Sequence, residues 1–148
     1  MNVIEAVRRS PVTIEADQTI LQAAELMEAA NVGALAVVDQ GALVGVVTDR
    51  DLVRRGIAAR VPVEARIDAL MSTPIVTIDA DADLHQAYAL LRSHAVRRLA
   101  VIRDGELAGL LTIDDLLMDL SADLADLVRP VTGEALFGHH ESAVPATT

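Results

Sequence analysis

The stretch GVVTDRDL, Gly45 to Leu52, returns as GLLTIDDL, Gly109 to Leu116, with Gly, Thr, Asp and Leu at matching places 64 residues on. Shifting the chain by that amount aligns residues 12–55 with 76–119 and gives 18 identities in 44 ungapped positions. Self-similarity of this kind marks an internal duplication, so the repeated unit decides the fold. Upstream, IEAVRRSP (Ile4 to Pro11) parallels IDALMSTP (Ile67 to Pro74) at a shift of 63, which implies one residue inserted after the second proline.

Each unit reads as βαββα. A short VTI strand (Val12 to Ile14, Val76 to Ile78) is followed by an acidic turn and a helix. The helix carries apolar residues at i, i+3, i+4 and i+7: Ile20, Ala23, Ala24 and Met27, then Leu84, Ala87, Tyr88 and Leu91. Two apolar strands come next, Leu35 to Val38 and Leu43 to Val47, joined around Gly41; the copy runs Leu99 to Ile102 and Leu107 to Leu111, joined by Asp104-Gly105, a hairpin signal. Thr48 and Thr112 then stand at helix N-cap positions. GIAARVPVEAR (Gly56 to Arg66) ends the first unit, and the last helix continues along Leu116, Leu117, Leu120, Leu124, Leu127 and Val128 to Pro130. The expected fold is α/β (α+β): two βαββα repeats packed by pseudo-twofold symmetry. Residues 1–60 form repeat 1, 61–129 repeat 2 with its extended C-terminal helix, and 130–148 a flexible tail.

Composition narrows the function. All twelve basic residues are Arg, so neither a P-loop lysine nor a Schiff-base lysine is available. A net charge of −10 opposes general attraction to nucleic acid or anionic lipid. One Tyr and one Phe leave no stacking platform for bases. The absence of cysteine removes thiol chemistry and fits a reducing compartment, hence a cytoplasmic protein. The chain shows no signal core and no membrane-spanning run. His85, His94, His139 and His140 form no spaced ligand set, the acidic run Asp79 to Asp83 suits a helix start, and the serines lack His and Asp partners, so neither a metal site nor an enzyme is expected.

The order of elements, with SPVTI at the start, GALAVVDQGALVGVVTDRDL in the first copy and RRLAVIRDGELAGLLTIDDL in the second, resembles the cystathionine β-synthase (CBS) domain family. Two copies look like one CBS pair, or Bateman module, over residues 4 to 119. The resemblance implies that Thr48 and Thr112 contact nucleotide phosphate, that Asp51 and Asp115 contact ribose, and that the base lies between apolar strands near Thr13 and Thr77. It also implies a basic residue facing phosphate where Arg97 and Arg98 stand at the mouth of a strand; Gly33 and Ala34 occupy that place in the other copy. Association into a homodimer through the helices is a further implication.

The physics of the motif stands apart from the family. A helix N-terminus offers unpaired N–H groups and partial positive charge to phosphate, a cap hydroxyl can donate to it, and a first-turn carboxylate can accept from two vicinal hydroxyls. The same Thr-x-x-Asp pattern also serves as a capping box with no ligand at all. Arg50 lies inside the first motif and favours phosphate, whereas Asp114 in the second repels it. Because consecutive strand residues face opposite ways, one of Arg97 and Arg98 is expected to reach a given cleft. These residues point to a stand-alone regulatory module sensing AMP, ADP, ATP or another adenosyl compound such as S-adenosylmethionine, acting on a regulated protein partner. The alternative is a structural or partner-binding protein with degenerate sites.

Overall fold

Two apolar hairpins, each closed by a two-residue turn, organise the chain. A computed structural model describes residues 1–137; Gly138 onward, including His139 and His140, lies outside the described residues. In chain order the elements are α1 (Val3–Ala6), β1 (Thr13–Glu15), α2 (Ile20–Ala30), β2 (Ala34–Asp39), β3 (Ala42–Thr48) and α3 (Asp49–Asp51). α3 passes directly into a π-helical stretch, Leu52–Ile57, and a 3₁₀ turn follows at Ile67–Ala69. Then come β4 (Thr77–Asp79), α4 (Leu84–His94), β5 (Arg98–Arg103), β6 (Glu106–Thr112) and α5 (Ile113–Phe137).

Each repeat builds a three-stranded sheet, β1-β2-β3 or β4-β5-β6, with its first pair parallel and its second antiparallel. The hairpin turns place Gln40 at φ 49° with Gly41 at φ 80°, and Asp104 at φ 51° with Gly105 at φ 80°. Both central residues are left-handed, the type I′ geometry that matches strand twist and favours glycine second. Both sheets also carry an irregularity at the same place, Val37/Val38 and Val101/Ile102. Leu35, Val37, Val47, Leu99, Val101 and Leu111 are fully buried, so the duplicated strands form the two cores.

The lead segments are exchanged between the repeats. α1, which precedes β1 in the chain, docks on the second repeat: Val3 N–H donates to Ala82 O at 2.8 Å and Ile4 N–H to Ala80 O at 3.0 Å. The 3₁₀ turn before β4 docks on the first: Ile67 N–H donates to Gln18 O at 2.7 Å and Asp68 N–H to Ala16 O at 3.4 Å. Val3, Ala6, Ile67 and Leu70 are all buried by this exchange.

These bonds correct the expected offset of 63. Donors and acceptors correspond at a shift of 64 on both sides, Val3 with Ile67 and Ala82 with Gln18, so the duplication needs no inserted residue. The matching isoleucines and prolines that suggest 63 do not occupy equivalent places.

Residues 1–112 form one compact unit, and a second begins at Ile113. The exchanged segments join the sheets of both repeats in the first unit. Unit two is described through α5, which continues past Pro130 to Phe137 where the sequence suggests a helix end. Proline's own φ is helical, so the backbone carries on at the loss of one N–H donor.

Candidate functional site

The site starts at the end of β3, where the chain leaves the sheet and turns into α3. Thr48 is 9% exposed, the one buried polar residue of the described core. Its Oγ1 accepts from the backbone N–H of Asp51 at 3.1 Å, and the Asp51 carboxylate accepts in return from Thr48 N–H at 2.9 Å. This is a full capping box. The other Asp51 oxygen has a 4.0 Å contact with Arg55 Nε. The Thr48 hydroxyl proton is not used by the cap, since the oxygen there acts as acceptor.

Thr48 and Asp51 open onto a cavity of about 250 Å³ whose far wall comes from the second repeat. Val46 and Ser72 lie on one side, Pro74, Ile75 and Val76 line the approach to β4, and Val96, Arg97 and Arg98 lead into β5. The cavity therefore takes its helix start from one repeat and its arginines from the other. Both arginines reach it, where alternation along a strand admits one. Arg97 lies in a bend before β5 begins at Arg98, so strand alternation does not apply to the pair.

Arg98 is half-buried, and its Nε is buried with no hydrogen-bond partner. Such a donor is costly to leave unmet. The cavity is thus lined by two basic residues, Arg97 and Arg98, by the acidic Asp51, and by apolar Val46, Ile75 and Val76.

The remaining candidates are placed as follows. Arg50 is exposed, its backbone N–H bonded to Asp49 Oδ1 at 2.7 Å, and it does not line the cavity. Thr13 is exposed in β1. Thr77 borders a different depression, with Asp79, Ala82 and Gln86. Val76, one residue before β4 begins, lines the cavity instead. Thr112 ends β6 in the first unit, and Asp115 lies in the first turn of α5 in the second. Sequence reasoning missed Ser72, Pro74 and Ile75, whose segment reaches the site by pairing with β3 through a Val46–Ser72 bridge. Only the match of GVVT (Gly45 to Thr48) with GLLT (Gly109 to Thr112) hinted at Val46.

A second cavity, about 620 Å³, lies on the other side of the Asp49–Ile57 run, against α2. It is lined by Leu21, Met27, Leu52, Val53, Ile57 and Val63 among others, with Glu28, Asn31 and Asp49 at its polar end. One helical run thus borders both cavities.

Among known proteins, the model of the CBS domain family matches the chain twice, over residues 3–57 and 66–122. YlbB of Bacillus subtilis (strain 168), an uncharacterized protein, is 42% identical over 99 residues, 66% of this chain and 67% of its own. The CBS domain protein PAE2072 of Pyrobaculum aerophilum, solved in complex with AMP, superposes with a TM-score of 0.71 at 26% identity, covering 82% of this chain and 99% of that one. Hypoxic Response Protein I, solved with two coordinated zinc ions, superposes with a TM-score of 0.68 at 27% identity, covering 80% and 98%. Among the described residues of the present chain, no group of three or more His, Cys, Asp or Glu could hold a metal ion. No described helix is long and apolar enough to cross a membrane.

Proposed function

The chain belongs to the CBS domain family, two copies in tandem, and from that premise we propose that it is a ligand-sensing regulatory module whose cavity at Thr48 holds an adenine nucleotide. The observation that carries this reading is the composite wall: Thr48 and Asp51 from one repeat, Arg97 and Arg98 from the other, with Arg98 Nε buried and unpaired. Phosphate takes the Thr48 hydroxyl proton and pairs with the guanidinium groups of Arg97 and Arg98. The ribose hydroxyls donate to Asp51, and the base lies on Val46, Ile75 and Val76. The AMP held by PAE2072 supports AMP as the first ligand to test, with ADP, ATP and other adenosyl compounds behind it.

The two motifs are unequal in this reading. At a shift of 64, the places of Arg97 and Arg98 are taken by Gly33 and Ala34, and that of Arg50 by Asp114, so the Thr112–Asp115 motif lacks a counter-charge for phosphate. Arg50 acts on the first site through its field alone, and Thr13 and Thr77 at most border the bases.

The module works as a homodimer and catalyses no reaction. A ligand that fixes Thr48 and Asp51 also fixes the start of the run whose Leu52, Val53 and Ile57 line the apolar groove. Occupancy is thereby passed to a surface open to a partner.

A thermal-shift comparison of AMP, ADP, ATP, S-adenosylmethionine and adenosine tests the proposal. Binding to the native state alone adds RT ln(1 + [L]/Kd), about 2.7 kcal/mol at a hundredfold excess. AMP is expected to raise Tm, and adenosine far less. No shift from any of them at millimolar concentration would favour the second reading, a structural CBS protein in which Thr48 and Asp51 only cap a helix. The complete capping box is the observation on that side.

A further inference from the structure

We propose that Arg55 is a positioning residue of the Thr48 cavity: fixed to the carbonyl of Leu70, it orients the second carboxylate oxygen of Asp51 for the ribose. The proposal deepens the nucleotide reading above and rests on it. Asp51 divides its two oxygens. Oδ2 accepts from Thr48 N–H at 2.9 Å, and Oδ1 lies 4.0 Å from Arg55 Nε. At that distance the guanidinium attracts Oδ1 without filling its lone pairs, so a ligand hydroxyl still finds an acceptor there. The Arg55 side chain is 54% exposed, and a long cation that open to solvent loses much of its gain to side-chain entropy. A second contact restrains this one, since Arg55 Nη1 donates to Leu70 O at 3.4 Å. Leu70 belongs to the buried core of the first repeat, and Gly56 packs so closely on it that a Cβ there would stand 3.2 Å from Leu70 Cδ1. Two residues beyond Leu70, Ser72 pairs with Val46 in the cavity wall. Arg55 thus ties the helix start that carries Asp51 to the segment that supplies Ser72, Ile75 and Val76.

The second repeat reverses this device. At a shift of 64 the place of Arg55 is taken by Asp119, so Asp115 has a carboxylate four residues on where Asp51 has a guanidinium. Like charges at that spacing repel. The π-helical stretch that holds Arg55 likewise has an α-helical counterpart in α5. A tie needed only to build the helix start would serve both copies. This one is confined to the motif that shares a cavity with Arg97 and Arg98, and it lies in a backbone form frequent at functional sites.

Calorimetric titration of the full chain with AMP and with adenosine tests it, in wild type, Arg55→Met, Asp51→Asn and the double variant. Because both ligands carry the ribose, Arg55→Met should weaken both by the same factor, about fivefold. In the Asp51→Asn background the same substitution should change AMP affinity by less than about twofold, since the charge it acts on is gone. Arg55→Lys keeps a cation without the two-armed reach and should fall between wild type and Arg55→Met; it carries the same comparison if Arg55→Met melts below the assay temperature. Unchanged AMP affinity in the Arg55 variants whatever their Tm, a loss confined to AMP, or an undiminished loss in the Asp51→Asn background would overturn the proposal and leave the nucleotide site standing. A wild type that binds neither ligand would overturn both.

Discussion

Thr48 and Asp51 hold each other: the hydroxyl accepts the Asp51 N–H at 3.1 Å and the carboxylate accepts the Thr48 N–H at 2.9 Å. Each half of the proposed nucleotide grip is therefore also half of a helix cap, and the two roles separate by substitution. Asp51→Asn keeps an oxygen to accept from Thr48 but loses the charge that strengthens bonds from ribose. Its Tm should stay within a few degrees of wild type while AMP affinity falls about tenfold or more. Equal affinity in the variant would reduce Asp51 to a cap. Thr48→Ala should cost about 1 kcal/mol of stability from the lost cap as well as affinity.

Arg98 offers a sharper contrast, because its buried Nε lacks a partner. Arg98→Met fills similar space with no donor to leave unmet. The ligand-free variant should be at least as stable as wild type, whereas AMP binding should drop by about 1.5 to 3 kcal/mol, the range for a hydrogen bond to a charged group. Adenosine binding should hardly change. If Arg98→Met instead lowers Tm and leaves AMP affinity unchanged, the side chain is structural.

Gly45 tests the exchanged lead segment. A Cβ there would stand 2.8 Å from Met71 Sδ and 2.9 Å from the Ser72 carbonyl oxygen, while at Gly109 it would stand 2.6 Å from Val7 Cγ1. Overpacking of this kind costs about 1 to 3 kcal/mol. Gly45→Ala should lower Tm more than Gly109→Ala, since its obstacle includes backbone held in a bridge to Val46. It should also weaken AMP binding, because Val46 and Ser72 line the cavity. Melting curves with and without AMP check both points.

The duplication made the repeats legible. Gly41 and Gly105 fixed the hairpins by local turn chemistry, and the Thr and Asp that follow marked the helix starts. What lay beyond reach was long-range. Nothing in the local pattern tells that Arg97 and Arg98 face Thr48 and Asp51 rather than the motif of their own repeat, since that pairing follows from packing the repeats together. The offset of 63 failed for a related reason: Ile4 with Ile67 and Pro11 with Pro74 match in letter, whereas Val3 with Ile67 and Ala6 with Leu70 match in burial. The π-helical form of Leu52–Ile57 gave no sequence signal beyond Gly56 near its end.

A calorimetric titration of the wild-type chain with AMP, repeated with adenosine, tests most directly whether the composite cavity is a nucleotide site. One AMP is expected to bind per chain, since one motif has Arg97 and Arg98 opposite it and the other has Gly33 and Ala34 at the corresponding places. Adenosine should bind at least tenfold more weakly for want of phosphate. Two equal AMP sites per chain, adenosine binding as tightly as AMP, or no heat from either at millimolar concentration would contradict it.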